Sequence, residues 1–191
     1  MKSFLLFGIL FLTTSVICAQ ETFQREKGVE IKKDTAKVNN YTISVGLNII
    51  DNGRSSSPFN AETMAFKTPF FIGIERRFES KWSLVLAAST NRLTIASVEK
   101  FYISIEAAGQ FYFDDYIFKN EDIEMYAGLG LGRYFLENNG SNTMNVIGGG
   151  RYWFSDHYGI SLQGCGKVGL TPINESVRNH YQYNLGLVWR I

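Results

Sequence analysis

Phe101-Tyr102-Ile103-Ser104-Ile105-Glu106-Ala107-Ala108-Gly109-Gln110-Phe111-Tyr112-Phe113 sets the period that decides the fold of residues 41–191. Phe101, Ile103, Ile105, Ala107, Phe111 and Phe113 share one parity, while Tyr102, Ser104, Glu106 and Gln110 share the other. Successive side chains of a strand point to opposite faces, so this segment is a strand with one apolar and one polar face. A helical period would mix the two sets.

The alternation recurs along the chain after Asn40, giving eight expected strands. The apolar face holds Tyr41 to Ile49 in the first strand and Phe70 to Phe78 in the second. It holds Trp82 to Ala88 in the third and Phe101 to Phe113 in the fourth. Ile123 to Phe135, Met144 to Phe154, Tyr158 to Leu170 and Tyr181 to Ile191 complete the set. In these registers 40 of 48 apolar-face positions hold A, V, I, L, M, F, W, Y or C, against 12 of 40 on the other face. Five of the eight exceptions are glycine, and the other three are Arg76, Thr90 and Arg133. The links between strands run from 51 to 67, 79 to 81, 91 to 100, 114 to 122, 136 to 142, 155 to 157 and 171 to 180. Strands of about 9–13 residues follow, long for a soluble sheet and suited to a tilted membrane crossing.

Composition narrows the class. Charged residues are 19% of the 191, and 19 Lys+Arg against 18 Asp+Glu leave a net charge of +1. That balance argues against a basic nucleic-acid binder. An apolar content of 45% argues against a disordered chain. Past the N-terminus there is no apolar run of about 20 residues, so a helical membrane protein is excluded. Mean hydropathy is −0.08 despite 15% aromatics, so something polar and uncharged must offset something very apolar.

The N-terminus is expected to be an export signal, residues 1–19. Lys2 supplies the charged start, Phe4 to Leu12 the apolar core, and Cys18-Ala19 the end. Ile17 before Cys18 does not suit a lipoprotein site. Cleavage leaves Cys165 as the one cysteine, so no intrachain disulfide is expected. Residues 20–40 carry many charges and no sustained period, and are expected to be a flexible periplasmic segment.

Three features assign the faces. The polar face carries only seven charged residues, Glu75, Arg77, Glu106, Glu124, Arg151, Lys167 and Arg190, too few for a wet exterior and suited to a lumen where charges pair. Aromatics crowd the ends of the apolar face. Phe78, Trp82, Phe111, Phe113, Tyr152, Phe154, Tyr158 and Trp189 would ring one rim, as interfacial aromatics do, and Phe70, Phe101, Phe135, Tyr181 and Tyr183 the other. Finally, an eighth strand running to Ile191 can close the sheet and leave no edge in lipid. The fold expected for 41–191 is all-β, an eight-stranded antiparallel up-and-down transmembrane β-barrel.

Over these residues the chain resembles the small eight-stranded bacterial outer-membrane barrels, an OmpA-like or porin-like class. The resemblance rests on short turns such as Phe154-Ser155-Asp156-His157 before Gly159-Ile160, and on the ending Tyr183-Asn184-Leu185-Gly186-Leu187-Val188-Trp189-Arg190-Ile191. It implies a location in the cell outer membrane of a Gram-negative bacterium, in contact with its lipid. It also implies that the assembly machinery reads the terminal strand, which in that class usually ends in an aromatic; here Ile191 is last. Both termini would be periplasmic, with 51–67, 91–100, 136–142 and 171–180 outside.

Chemistry is sparsely signalled. Enzymes of that class need a His with Ser and an acid near the outer rim. His157 sits with Ser155 and Asp156 in a turn, a composition that turns favour for their own reasons. His180 lies near Asn179, Glu175 and Ser176 without matching a deacylase motif. No His, Cys, Asp or Glu spacing recurs as a metal site would require. Gly148-Gly149-Gly150 falls inside a strand, not in a phosphate loop. Cys165 is expected to be a small buried filler. The expectation is a non-enzymatic outer-membrane protein, without cofactor or metal, with a structural or surface-interaction role. Its lumen would be plugged by the seven charges and its outer loops would meet a protein partner, 51–67 first among them. The alternatives are a narrow pore or small-solute uptake channel and, behind it, a lipid-modifying enzyme.

Overall fold

The computed structural model describes residues 41–51, 64–78, 81–95, 97–117, 120–137, 139–171 and 177–191. The signal peptide expected over 1–19, the segment 20–40 and residues 52–63 of the first link lie outside the described residues. The described chain forms β1 (Tyr41–Asp51), β2 (Met64–Ala65), β3 (Phe70–Arg77), β4 (Trp82–Ile95) and β5 (Val98–Tyr112). Then follow α1 (Asp114–Ile117), β6 (Ile123–Leu136), β7 (Asn139–Trp153), β8 (Tyr158–Gly169) and β9 (Asn179–Arg190).

Backbone pairing closes the sheet. β1 pairs with β3, each later strand pairs antiparallel with the next, and β9 returns to β1 from Thr42↔Arg190 to Asp51↔Tyr181. The two-residue β2 pairs only with Ile50 and Asp51 at the end of β1. Eight strands therefore make a closed antiparallel up-and-down barrel. We call the end bearing Tyr41 and Ile191 the inner end and its opposite the outer end.

The alternation sorts the side chains. Leu129, Leu131 and Leu187 stand on the outer wall, 65–71% exposed. Their strand neighbours point inward, where Ser104, Asn145, Gln182 and Asn184 are all but fully buried. A wall this apolar and this exposed suits lipid. The inner-end aromatics pair as the ladder predicts. Trp82 lies opposite Phe111 with ring centroids 4.9 Å apart, and Tyr158 stacks on Trp189 at 6.4 Å. Phe78, Tyr152 and Phe154 are exposed on the same rim, and Phe111 and Phe113 are half-buried there.

Two links expected as outer loops are instead strand. β4 continues to Ile95 and β5 begins at Val98, paired directly; likewise Leu136 pairs with Asn139. The strands β4 to β7 reach 14 or 15 residues, beyond the expected 9–13. Such tight turns need positive φ, which Ser97 (66°) and Glu137 (53°) supply. Neither two-residue turn is itself Asn-Gly or Asp-Gly (Asn139-Gly140 falls one position past the second), so polar residues such as Arg92, Thr94 and Glu99 pass for loop in the sequence. The inner link 114–122 contains the short α1. It is pinned by Lys81, whose Nζ donates to Tyr116 Oη at 2.6 Å; that bond pushes the exposed ammonium pKa up.

One glycine is required at the closing seam. A Cβ on Gly46 would lie 2.1 Å from the Leu185 carbonyl oxygen and 2.4 Å from the Gly186 Cα, both backbone atoms. A Cβ on Gly148, mid-strand in β7, meets nothing within 4 Å. Gly46→Ala should therefore lower the unfolding free energy in urea by about 3 kcal/mol, the upper part of the overpacking range. Gly148→Ala should leave the midpoint nearly unchanged. Equal midpoints for the two variants would contradict this seam.

Candidate functional site

The barrel interior is the candidate site, because every charged residue expected on the polar face points there. Antiparallel register stacks these residues in layers. The innermost layer gathers Glu75 from β3, Glu124 from β6, Arg151 from β7, Arg77 from β3 and Arg190 from β9. Arg151 makes an ion pair with Glu75 through Nη2 and lies 3.7 Å from Glu124 through Nη1. Glu124 Oε1 also accepts from Arg77 Nη1 at 2.9 Å and from Arg190 Nη2 at 3.1 Å. Tyr112 completes the layer: its hydroxyl donates to Glu75 and accepts from Arg151 Nη1 at 2.7 Å. The Arg77 guanidinium lies 3.7 Å from the Tyr112 ring centre, and that of Arg190 lies 4.0 Å from the Trp153 ring. Arg–carboxylate bonds and cation–π contacts both gain strength away from water. The layer leaves a cavity of about 10 Å³ among Thr42, Glu75, Arg77, Glu124, Arg151 and Arg190, room for one water.

The middle layer centres on Lys167 of β8 and Glu106 of β5. Lys167 Nζ lies 3.1 Å from Glu106 Oε2 and donates to Ser104 Oγ at 2.8 Å. Asn145 Nδ2 donates to the same carboxylate oxygen at 2.7 Å, and Cys165 Sγ is 3.9 Å from it. Ser104 reaches Ser89, which reaches Gln182, which donates to Asn184. Lys167 has 1% of its side chain exposed, so its charge is tolerable only because Glu106 is beside it.

The outer layer adds an apolar closure to the charge plug expected from the sequence. Ile50, Leu93, Ile95, Tyr102, Tyr134, Leu136 and Val177 form a buried apolar cluster across the outer mouth. Leu93 and Ile95 belong to the extended end of β4, where the period of two runs on past Asn91. That continued alternation is the signal that could have revealed them. His180 closes the cluster from β9. Val177 O can only accept, so His180 Nδ1 donates to it at 3.2 Å, and Nε2 then accepts from Tyr102 Oη at 2.8 Å. Tyr134 Oη donates to the same carbonyl at 3.3 Å, and both tyrosine rings meet the imidazole edge to face. Glu175 and Ser176, noted near His180 in the sequence, lie outside the described residues. His157 lies in the inner turn with Nδ1 3.2 Å from the Arg190 carbonyl, and Ser155 Oγ accepts from the Tyr158 amide at 3.0 Å. Ser155 and His157 thus bond to backbone groups rather than to each other.

No family model matches the sequence, and no curated protein matches it. Solved structures do. The chain is similar to the outer membrane protein OprG of Pseudomonas aeruginosa, with TM-score 0.56 and 12% identity, covering 81% of this chain and 97% of that one. It is similar to Neisserial surface protein A, with TM-score 0.53 and 15% identity over 81% and 97%. It is also similar to Ail, the attachment invasion locus protein of Yersinia pestis, with TM-score 0.50 and 13% identity over 81% and 100%. At these identities the likeness is one of fold, and the fold is that of the eight-stranded outer-membrane β-barrels.

Proposed function

We propose that this chain works in the outer membrane as a non-enzymatic surface-interaction protein whose barrel is a closed support for its outer segments. One observation carries the reading: buried side chains fill the lumen in layers, and each of its seven charges lies against an opposite one. Two layers of paired charge lie below an apolar closure in which Tyr102, Tyr134 and Val177 have no exposed area. An eight-stranded barrel is only wide enough for side chains to fill it. Its apolar wall meets outer-membrane lipid, and β9 is the strand that the assembly machinery would read. Contact with a partner protein falls to the outer end, where the link 51–67 is the longest. Ail, similar in fold, is by name an attachment protein.

The competing reading is a narrow pore. Planar-bilayer recording with the purified barrel separates the two. The wild type should show no steady conductance, and Glu106→Gln and Arg151→Gln should change refolding yield without opening a current. Removing one partner of a buried pair costs about 3–5 kcal/mol, which is where those variants should differ. A steady wild-type current that shifts in either variant would establish a conducting path and overturn the closed reading. Deleting 52–63 should abolish partner capture and keep the heat-dependent gel shift of a folded barrel; capture that survives the deletion would remove that link from the contact surface.

A further inference from the structure

Two arginines break the apolar face that the alternation turns outward, and they lie at opposite ends of it. Arg76 pairs across the ladder with Tyr41 at the inner end. Arg133 lies on β6 toward the outer end, with Leu131 on its membrane side and Phe135 on its outer side. Among the described residues, no carboxylate pairs with Arg133. An arginine facing lipid is costly unless its head finds a polar partner.

The wall around Arg133 is shaped for it. Its guanidinium lies 5.2 Å from the Phe135 ring centre. Nη1 donates to Asn142 Oδ1, across the ladder on β7, at 3.1 Å. The next outward position of β7 toward its outer turn is Gly140, where a Cβ would come within 3.1 Å of both Nε and Nη2. The guanidinium and the Phe135 ring, whose Cδ1 would be 3.0 Å from that Cβ, thus lie closely against the Gly140 backbone, and a larger side chain there would push them aside. Nη1 is the one donor bonded within the protein, Arg133 is exposed on the outer wall, and its planar fork suits phosphate.

We propose that Arg133, seated in the Gly140 notch and held by Asn142 and Phe135, binds the phosphate of an anionic lipid headgroup in the leaflet at the outer end. This rests on the wall facing lipid, which a heat-dependent gel shift checks separately for every variant. The measurement is electron spin resonance with spin-labelled phosphatidic acid and spin-labelled phosphatidylcholine, in phosphatidylcholine bilayers containing the barrel. Wild type should prefer the phosphatidic acid by about fivefold at low salt, the scale of one basic residue near a membrane surface. Arg133→Gln should bring the preference close to parity. Gly140→Val, which keeps the arginine but fills its notch, should do the same. Arg92→Gln removes an equal charge from an arginine already 3.8 Å from Glu99, and should keep the preference. A preference that survives Arg133→Gln in a folded barrel would overturn the site. An equal loss in Arg92→Gln would show diffuse surface charge and overturn it too. Loss in Arg133→Gln with none in Gly140→Val would overturn the seating.

Discussion

Lipid offers no hydrogen bonds, so every backbone N–H and C=O within the apolar band must be satisfied inside the sheet. Pairing β9 back onto β1 over ten residue pairs meets that demand. The closure brings Gly46 and Gly186 face to face, with no room for a side chain on Gly46. Once the sheet is closed, the period of two leaves two destinations for each side chain. One parity faces lipid and the other a lumen too narrow to hold much water.

The lumen is then a problem of charge. Three glutamates and four cations share it, and each must be bonded where water is excluded. The register solves this across strands far apart in sequence. Glu75 and Arg151 are 76 residues apart, and Lys167 and Ser104 are 63 apart. Tyr112 serves as the hinge of the inner layer because its hydroxyl both donates and accepts. Beyond the middle layer the demand reverses. At the outer mouth the barrel is closed by apolar residues, and Val177 is held there by His180 and Tyr134. Paired charge thus lies below and apolar packing above.

Most of this arrangement was legible in the sequence, for physical reasons. Where lipid and lumen differ sharply, as along Phe101 to Phe113, parity alone fixes which way each residue points. The inward set Glu75, Glu106, Glu124, Arg151 and Lys167 followed from that parity, as did the outward aromatics such as Trp82 and Trp189. What parity cannot supply is the partner across the lumen, so the Glu75–Arg151 and Glu106–Lys167 pairs needed the register. The outer ends were misjudged because there the outward face leaves lipid and turns polar. Arg92, Thr94 and Glu99 then resemble loop residues, and the inward Leu93 and Ile95 lose the contrast that identifies a strand. The turns at Ser97 and Glu137 were hidden because they reach positive φ without glycine.

The central claim is that one parity meets lipid and the other a sealed lumen. Its most direct test is a cysteine scan of positions 101 to 113 in a Cys165→Ala background, with a spin label read by a lipid-soluble and a water-soluble relaxant. The account predicts a strict period of two. Positions 103, 105, 107 and 111 should answer to the lipid-soluble relaxant, and 104, 106, 108 and 110 to neither. Water-soluble access at the second set would contradict a sealed lumen, and loss of the period would contradict the barrel.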